Sequence, residues 1–368
     1  MRNRAHREQN FLVRGKVFSA DSLLTSARKP CFISAMAPAS NELLTDLLQS
    51  VSRSFYLTLR ALPAAVRPQI SLAYLLARTT DTIADTEILP PAQRLAALQL
   101  LRARILGETS APLEFAALAR AQANSAERTL LEKSEAALAL LQKLSSADLE
   151  LTRTVLDTIT SGQELDLQRF DGANAQRIIA LQNAAELDDY TYRVAGCVGG
   201  FWTKLCRAHV FPHALLNDAQ LLTDGIRFGK GLQLVNILRD LPTDLRNGRC
   251  YLPTDELAPL GLTPADLLDA TNEKKLRPLY DVWLDRADAH LAAGWTYTNT
   301  LPWSCARVRL ACAWPVLLGQ QTLAQLRTRN FLDATQRVKV TRTNVKFTVF
   351  KTLALYPLPG TWRQLGKP

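Results

Sequence analysis

The sequence predicts an all-α protein built as one domain. Three observations carry that expectation. From about residue 40 onward, apolar residues return at spacings of three and four, the period of a helix face. Ala and Leu, both strong helix formers, dominate the composition. The alternating apolar–polar pattern of a half-buried strand is nearly absent. At 368 residues, with 47% hydrophobic and 21% charged, the chain has ordinary globular composition and ample length to bury a core.

The elements follow in order. Residues 1–35 stand apart. They carry seven basic groups against Glu8 and Asp21, lack a long apolar run and show little periodicity. They read as a basic leader outside the fold, or as a start taken too early, with Met36 the true one. They do not read as a secretory signal. Asn41-Glu-Leu-Leu opens the helical pattern. A helix is predicted from Gln69 to Ile88, with Pro68 suited to its first turn and Pro90-Pro91 beyond its end. Further helices are predicted over 91–106, 128–145, 147–161, 186–208, 214–239, 263–269, 276–293 and 304–327. The domain is placed at 36–352, with 353–368 as a tail.

Composition excludes several classes. No run of 18 apolar residues exists, so no spanning helix is expected. Phe347 to Leu358 comes nearest, but Lys351 and Pro357 interrupt it. The six cysteines have no CxxC spacing and read as free thiols in a reducing, cytoplasmic setting. None of the four histidines follows a Glu by three residues, so a di-iron carboxylate bundle is disfavoured. The net charge of +10 suits an anionic substrate or an anionic membrane surface. Nothing resembles a nucleic-acid motif.

Two polar stripes stand out. Tyr74, Arg78, Asp81 and Asp85 have offsets 0, 4, 7 and 11, which hold them on one face of an otherwise apolar helix. Gln233, Asn236, Asp240 and Asp244 repeat the arithmetic at 0, 3, 7 and 11. Carboxylates on apolar helices are costly unless paired or bound to a cation. One such pair is commonly a solvated face. Two, facing each other, would suit Mg²⁺, which takes one or two carboxylates together with water and phosphate oxygens. Arg53, Arg78, Arg239, Arg246 and Arg249 recur nearby as ion-pair partners or as phosphate clamps. A third segment, Tyr190 to Trp202, reads as a helix despite Gly196, Gly199 and Gly200. It implies close helix packing or room for a bulky apolar ligand.

Together these motifs resemble the squalene and phytoene synthases. The resemblance rests on Ser52-Arg-Ser-Phe, Tyr74-x-x-x-Arg78-x-x-Asp81-x-x-x-Asp85, Tyr190-x-x-x-Val-Ala-Gly, and Gln233-x-x-Asn236-x-x-Arg239-Asp240-x-x-x-Asp244 with Gly248-Arg249. It implies an isoprenoid synthase bundle around a central cavity, working on farnesyl diphosphate with Mg²⁺. Asp81, Asp85, Asp240 and Asp244 would be the metal carboxylates, with Asn236 beside them. Ser52, Arg53, Ser54, Arg78, Arg239 and Arg249 would hold diphosphate. Tyr190 would handle the proton, and Phe55, Tyr74, Val194 and Gln233 would line the cavity. Val308 to Pro315 and then Arg337-Val-Lys-Val-Thr-Arg342 resemble the squalene synthase C-terminal pattern, which implies NADPH bound near Arg337, Lys339 and Arg342. The same three cations also read as a plain solvated face.

The implied reaction is head-to-head condensation to presqualene diphosphate, followed by reduction to squalene. Phytoene or dehydrosqualene synthesis is the alternative, and a non-catalytic assembly factor is a further one, against which both acid pairs argue. Three features depart from the family pattern. Pro242 falls inside the second motif and should end or kink its helix. Ala84 and Thr243 stand where some members carry an extra acid. No membrane anchor is visible. A monomer with at most peripheral membrane contact is expected, and no strong amphipathic anchor declares itself.

Overall fold

The computed structural model describes residues 43–52 and 55–366. The expectations for the 1–35 leader, Arg53, Ser54 and the Phe55 side chain lie outside the described residues. After a π-helical turn at Leu43–Leu47, the first half of the chain forms α1 (Leu48–Ser52), α2 (Phe55–Ala61), α3 (Arg67–Ala84), α4 (Pro91–Leu106), α5 (Ala116–Ala121), α6 (Ser125–Glu132), α7 (Ser134–Leu141) and α8 (Ser146–Arg169). The second half forms α9 (Ala184–Thr191), α10 (Cys197–His209), α11 (Asp218–Arg246), α12 (Thr254–Leu257), α13 (Glu273–Thr300), α14 (Ala306–Thr328), α15 (Arg342–Leu355) and α16 (Pro359–Gln364). Among the described residues, strand is confined to β1 (Ile179–Ala180) and β2 (Arg249–Cys250), which pair in parallel.

Local chemistry sets the helix ends. Pro91 occupies the first turn of α4, where its missing N–H costs nothing, and Gly107 closes that helix in the left-handed conformation. Ser145, Asn183 and Asn217 cap α8, α9 and α11 with side-chain oxygens. α3 ends at Ala84, four residues short of the expected Ile88. Asp85 is its C-cap, its N–H donating to Asp81 O at 2.9 Å. The span 128–145 divides into α6 and α7.

Two expectations change in ways that matter to the site. α8 runs on to Arg169 instead of stopping at 161. α11 passes straight through Pro242 to Arg246. Proline leaves the Leu238 carbonyl without its helical donor, and the hydroxyl of buried Tyr280 on α13 donates to that oxygen at 2.9 Å. A tertiary bond replaces the missing local one.

Two apolar clusters make the core. Leu76, Leu98, Leu141 and Leu156 belong to the first, on α3, α4, α7 and α8. Leu238, Leu284 and Val316 belong to the second, on α11, α13 and α14. α10 crosses α11 so closely that a Cβ at Gly199 would stand 1.9 Å from the Gly225 carbonyl oxygen. The glycines of the Tyr190–Trp202 segment thus serve packing there. Residues 353–366 also join the body: Trp362 is fully buried and donates to Asn299 Oδ1 at 3.1 Å. The five described cysteines are free thiols. Among the described residues, no helix is long and apolar enough to cross a membrane.

Candidate active site

A cavity of about 420 Å³ lies among the helices, lined chiefly by members of the first core cluster, a size typical of small-molecule sites. Its walls are mostly apolar and come from α2, α3, α8, α10, α11, α13 and α14. Tyr74 and Val194 line it, as expected, and so do Gly199, Gly225 and Gly229. The glycines therefore do two jobs: they let helices touch and they leave the wall thin. Polar groups on the lining include Asp81 from α3, Gln163 from α8 and Asn236 from α11. Both acidic motifs thus reach this cavity through at least one residue.

Asp81 accepts a short hydrogen bond from Gln163 Nε2 and sits 3.8 Å from the Arg78 guanidinium. Burial pushes its carboxyl up to about 6, with Asp85 adding to the push and Arg78 opposing it. Its side chain nonetheless remains 48% exposed, toward the cavity, so water or a cation there moderates the shift. Arg78 is itself committed, donating to Glu127 of α6 at 2.5 Å.

On α11, Asp240 is held by Arg239 at 2.5 Å and by Arg337 at 2.9 Å. Burial raises its carboxyl, but the two guanidiniums outweigh that and keep it below the usual carboxylate range. Asp244 is the opposite case. Burial, then the charges of Asp240 and Asp166, push it up to about 7, against Arg249 and Arg239.

Asp166 lies on the part of α8 beyond 161, past the predicted end of that helix. It stands between the motifs: Asp85 raises its carboxyl, and it raises that of Asp244 in turn. Burial is the main reason Asp166 rises to about 6. Tyr251 Oη donates to it at 3.1 Å, and Arg249 lies at 3.5 Å. Tyr190 donates to Tyr251 Oη at 3.3 Å, with the two rings stacked 4.8 Å apart. The chain Tyr190–Tyr251–Asp166 depends on β2. Ile179 N–H donates to Gly248 O at 2.8 Å and Leu181 N–H to Cys250 O at 3.1 Å, fixing Arg249 and Tyr251 in place. Gly248 has φ +81° and abuts Asn174, so only glycine fits there. The sequence carries little signal for Gln163 and Asp166, because the turn that holds them, Gln163-Glu-Leu-Asp-Leu-Gln-Arg, is mostly polar and shows no apolar stripe against which they would stand out.

The remaining predicted residues scatter. Ser52 is buried at the end of α1, its hydroxyl without a hydrogen-bond partner. Gln233 is half-buried on α11. Arg337, Lys339 and Arg342 are exposed on and beside an irregular stretch before α15. Arg337 reaches Asp240, so it is brought to the acidic site rather than to a separate pocket.

Among the described residues, no three His, Cys, Asp or Glu side chains gather closely enough to cage a metal by themselves. The residues still fit Mg²⁺. Gln163 Oε1, on the side chain that holds Asp81, is a buried acceptor without a donor, and the donor set is all oxygen. Mg²⁺ needs few protein ligands when substrate phosphate completes its shell.

Comparison with known proteins bears on this geometry. The squalene/phytoene synthase family profile matches residues 48–344. The 15-cis-phytoene synthase of Synechocystis sp. is 29% identical over 266 residues, covering 70% of this chain and 68% of its own. The presqualene diphosphate synthase of Rhodopseudomonas palustris is 30% identical over 253 residues, covering 69% and 77%. A ligand complex of TcSQS superposes with TM-score 0.69 at 20% identity, over 89% of this chain and 97% of that one.

Proposed function

Because the chain belongs to the squalene/phytoene synthase family of prenyl transferases, we propose that it joins two farnesyl diphosphates head to head with Mg²⁺ and, when NADPH is supplied, reduces the product to squalene. The observation that carries this reading is an apolar cavity bordered by polar groups from three helices: Asp81, Gln163 and Asn236.

Bound Mg²⁺ would supply positive charge to a departing diphosphate, held by Asp81, Asp85 and Asp244. Arg239, paired with Asp240, and Arg249, beside Asp166, supply further positive charge for phosphate oxygens. The C1–O bond of one farnesyl diphosphate breaks, and the double bond of the second attacks the allylic cation. The apolar walls exclude the water that would quench it. A proton must then leave as the cyclopropane closes. Tyr190 Oη can take it while passing its own proton to Tyr251, which passes one to Asp166. Both donors point that way, and the raised Asp166 carboxyl can hold the proton. Arg337 already pairs with Asp240, which brings one of the C-terminal cations to the same acidic site.

Purified protein with farnesyl diphosphate and Mg²⁺, run with and without NADPH, tests the reading. Squalene formed only with NADPH supports the whole of it. Presqualene diphosphate or dehydrosqualene in both reactions keeps the condensation and removes the reduction. A second reading, phytoene synthesis from geranylgeranyl diphosphate, is favoured by the similarity to phytoene synthases. Turnover of that substrate alone would select it.

A further inference from the structure

α15 is inside-out. The face it turns to the protein is marked by two threonines: Thr348 and Thr352 are buried, accepting from Gln321 Nε2 and Trp314 Nε1 at 3.0 Å each. Its outer face carries Phe347 at 61% and Phe350 at 69% exposure, and the apolar surface continues through Leu353 and Leu358. Of the ten large apolar side chains left exposed among the described residues, these four fall within twelve positions. Single exposed hydrophobes need no explanation, but such a cluster marks an interaction surface.

Charge identifies the occupant. At 3.6 residues per turn, Phe350, Ala354 and Phe347 run down the middle of the exposed arc, with Lys346 on one flank and Lys351 on the other. Residues 338–366 hold five basic groups (Lys339, Arg342, Lys346, Lys351 and Arg363) and no acid. Two phenylalanines between lysines, on a surface of one sign, match a bilayer with anionic headgroups: the rings enter the acyl boundary and the ammoniums rise to the phosphates. A 14-residue helix spans only about 21 Å, so it lies on the bilayer rather than crossing it.

We propose that the outer face of α15, extended by Leu358, is a docking surface for anionic lipid bilayers. The surface stands on exposure and charge alone. Its position adds a purpose that rests on the proposed function. Ala311, Cys312 and Pro315 of α14 line the cavity, while Trp314 and Gln321 of the same helix hold α15. One helix thus separates the apolar cavity from the docking face, where a water-insoluble product would need to leave.

The test uses the full chain and co-sedimentation with vesicles of phosphatidylcholine, with and without phosphatidylglycerol. Wild type should sediment with the anionic vesicles, less so at high salt. The surface variant F347S/F350S should bind about ten-fold or more weakly while keeping the wild-type melting temperature. K346E/K351E should lose the preference for phosphatidylglycerol. Failure of wild type to sediment, or unchanged binding by F347S/F350S, overturns the proposal. So does a concentration-dependent dimer that F347S/F350S dissociates, which would assign the face to a second copy. Condensing activity in detergent solution is expected to stay unchanged in both variants, which separates this inference from the catalytic reading.

Discussion

At the residue scale, the carboxylates of the site differ in what their surroundings ask of them. Asp81 opens on the cavity with Gln163 and Arg78 as partners, so D81N should lower turnover roughly 10³-fold or more with circular dichroism and melting unchanged. Near-normal turnover would remove Asp81 from the reaction. Y251F breaks the only bond in the tyrosine chain that ends on Asp166. It should slow condensation roughly 10²-fold while Mg²⁺ affinity holds, as measured by titration calorimetry with inorganic diphosphate. Asp244 gives a pH signature. Its folded carboxyl keeps a proton up to about pH 7, whereas an unfolded Asp releases it near ~3.9. Between those values the folded state binds more protons, so stability of the metal-free protein falls as pH rises through that window. Asp166, at about 6, pushes in the same direction. D244N removes its share of the slope. It should shrink the drop in melting temperature between pH 5 and pH 8 by about 2 °C, the shift that ~1 kcal/mol makes in a large domain.

At the element scale, α11 carries Asp240 and Asp244 on either side of a proline that ought to break it. The helix persists because Tyr280 donates to the carbonyl that Pro242 leaves open. Tyr280 is fully buried and stacks flat on Phe331 with centroids 3.5 Å apart, so its hydroxyl has little freedom to leave. Y280F should destabilise the protein by about 1–3 kcal/mol, the cost of a buried unsatisfied carbonyl. In a P242A background the restored N–H takes that carbonyl, and the same tyrosine substitution should cost less. A double-mutant cycle from urea melts measures the difference. Additive costs would mean that the bond does not sustain the helix.

At the scale of the whole molecule, the acidic site joins segments far apart in sequence: α3, α8, α11, β2 and the stretch before α15. Asp240 is held from two of them, by Arg239 beside it and by Arg337 from 97 residues on. Mg²⁺ with inorganic diphosphate should therefore raise the melting temperature more than either alone, since the pair neutralises buried carboxylates and offers phosphate oxygens to the arginines. A ligand at 100 times its Kd adds about 2.7 kcal/mol, a shift of several degrees that differential scanning fluorimetry resolves. Equal shifts with and without Mg²⁺ would mean that the acids do not act through a cation.

The sequence by itself determined the helical class and the order of most helices, because apolar spacing reports which face of each helix is buried. The offsets of Asp81, Asp85, Asp240 and Asp244 on apolar helices were legible in the same way, with no partner needed to see them. Tertiary structure decided the rest. The end of α8, and with it Gln163 and Asp166, depended on neighbours that made a polar last turn worth burying. The survival of α11 through Pro242 depended on Tyr280, which is 38 positions away and carries no local signal. The outward face of α15 was hidden because both faces of that helix carry apolar residues, so no periodicity marks which one is left in water. Spacing along a chain tells how a helix is divided. It cannot tell what lies across from each face, and there the carbonyl of residue 238, the Asp166 carboxylate and the two exposed phenylalanines acquire their meaning.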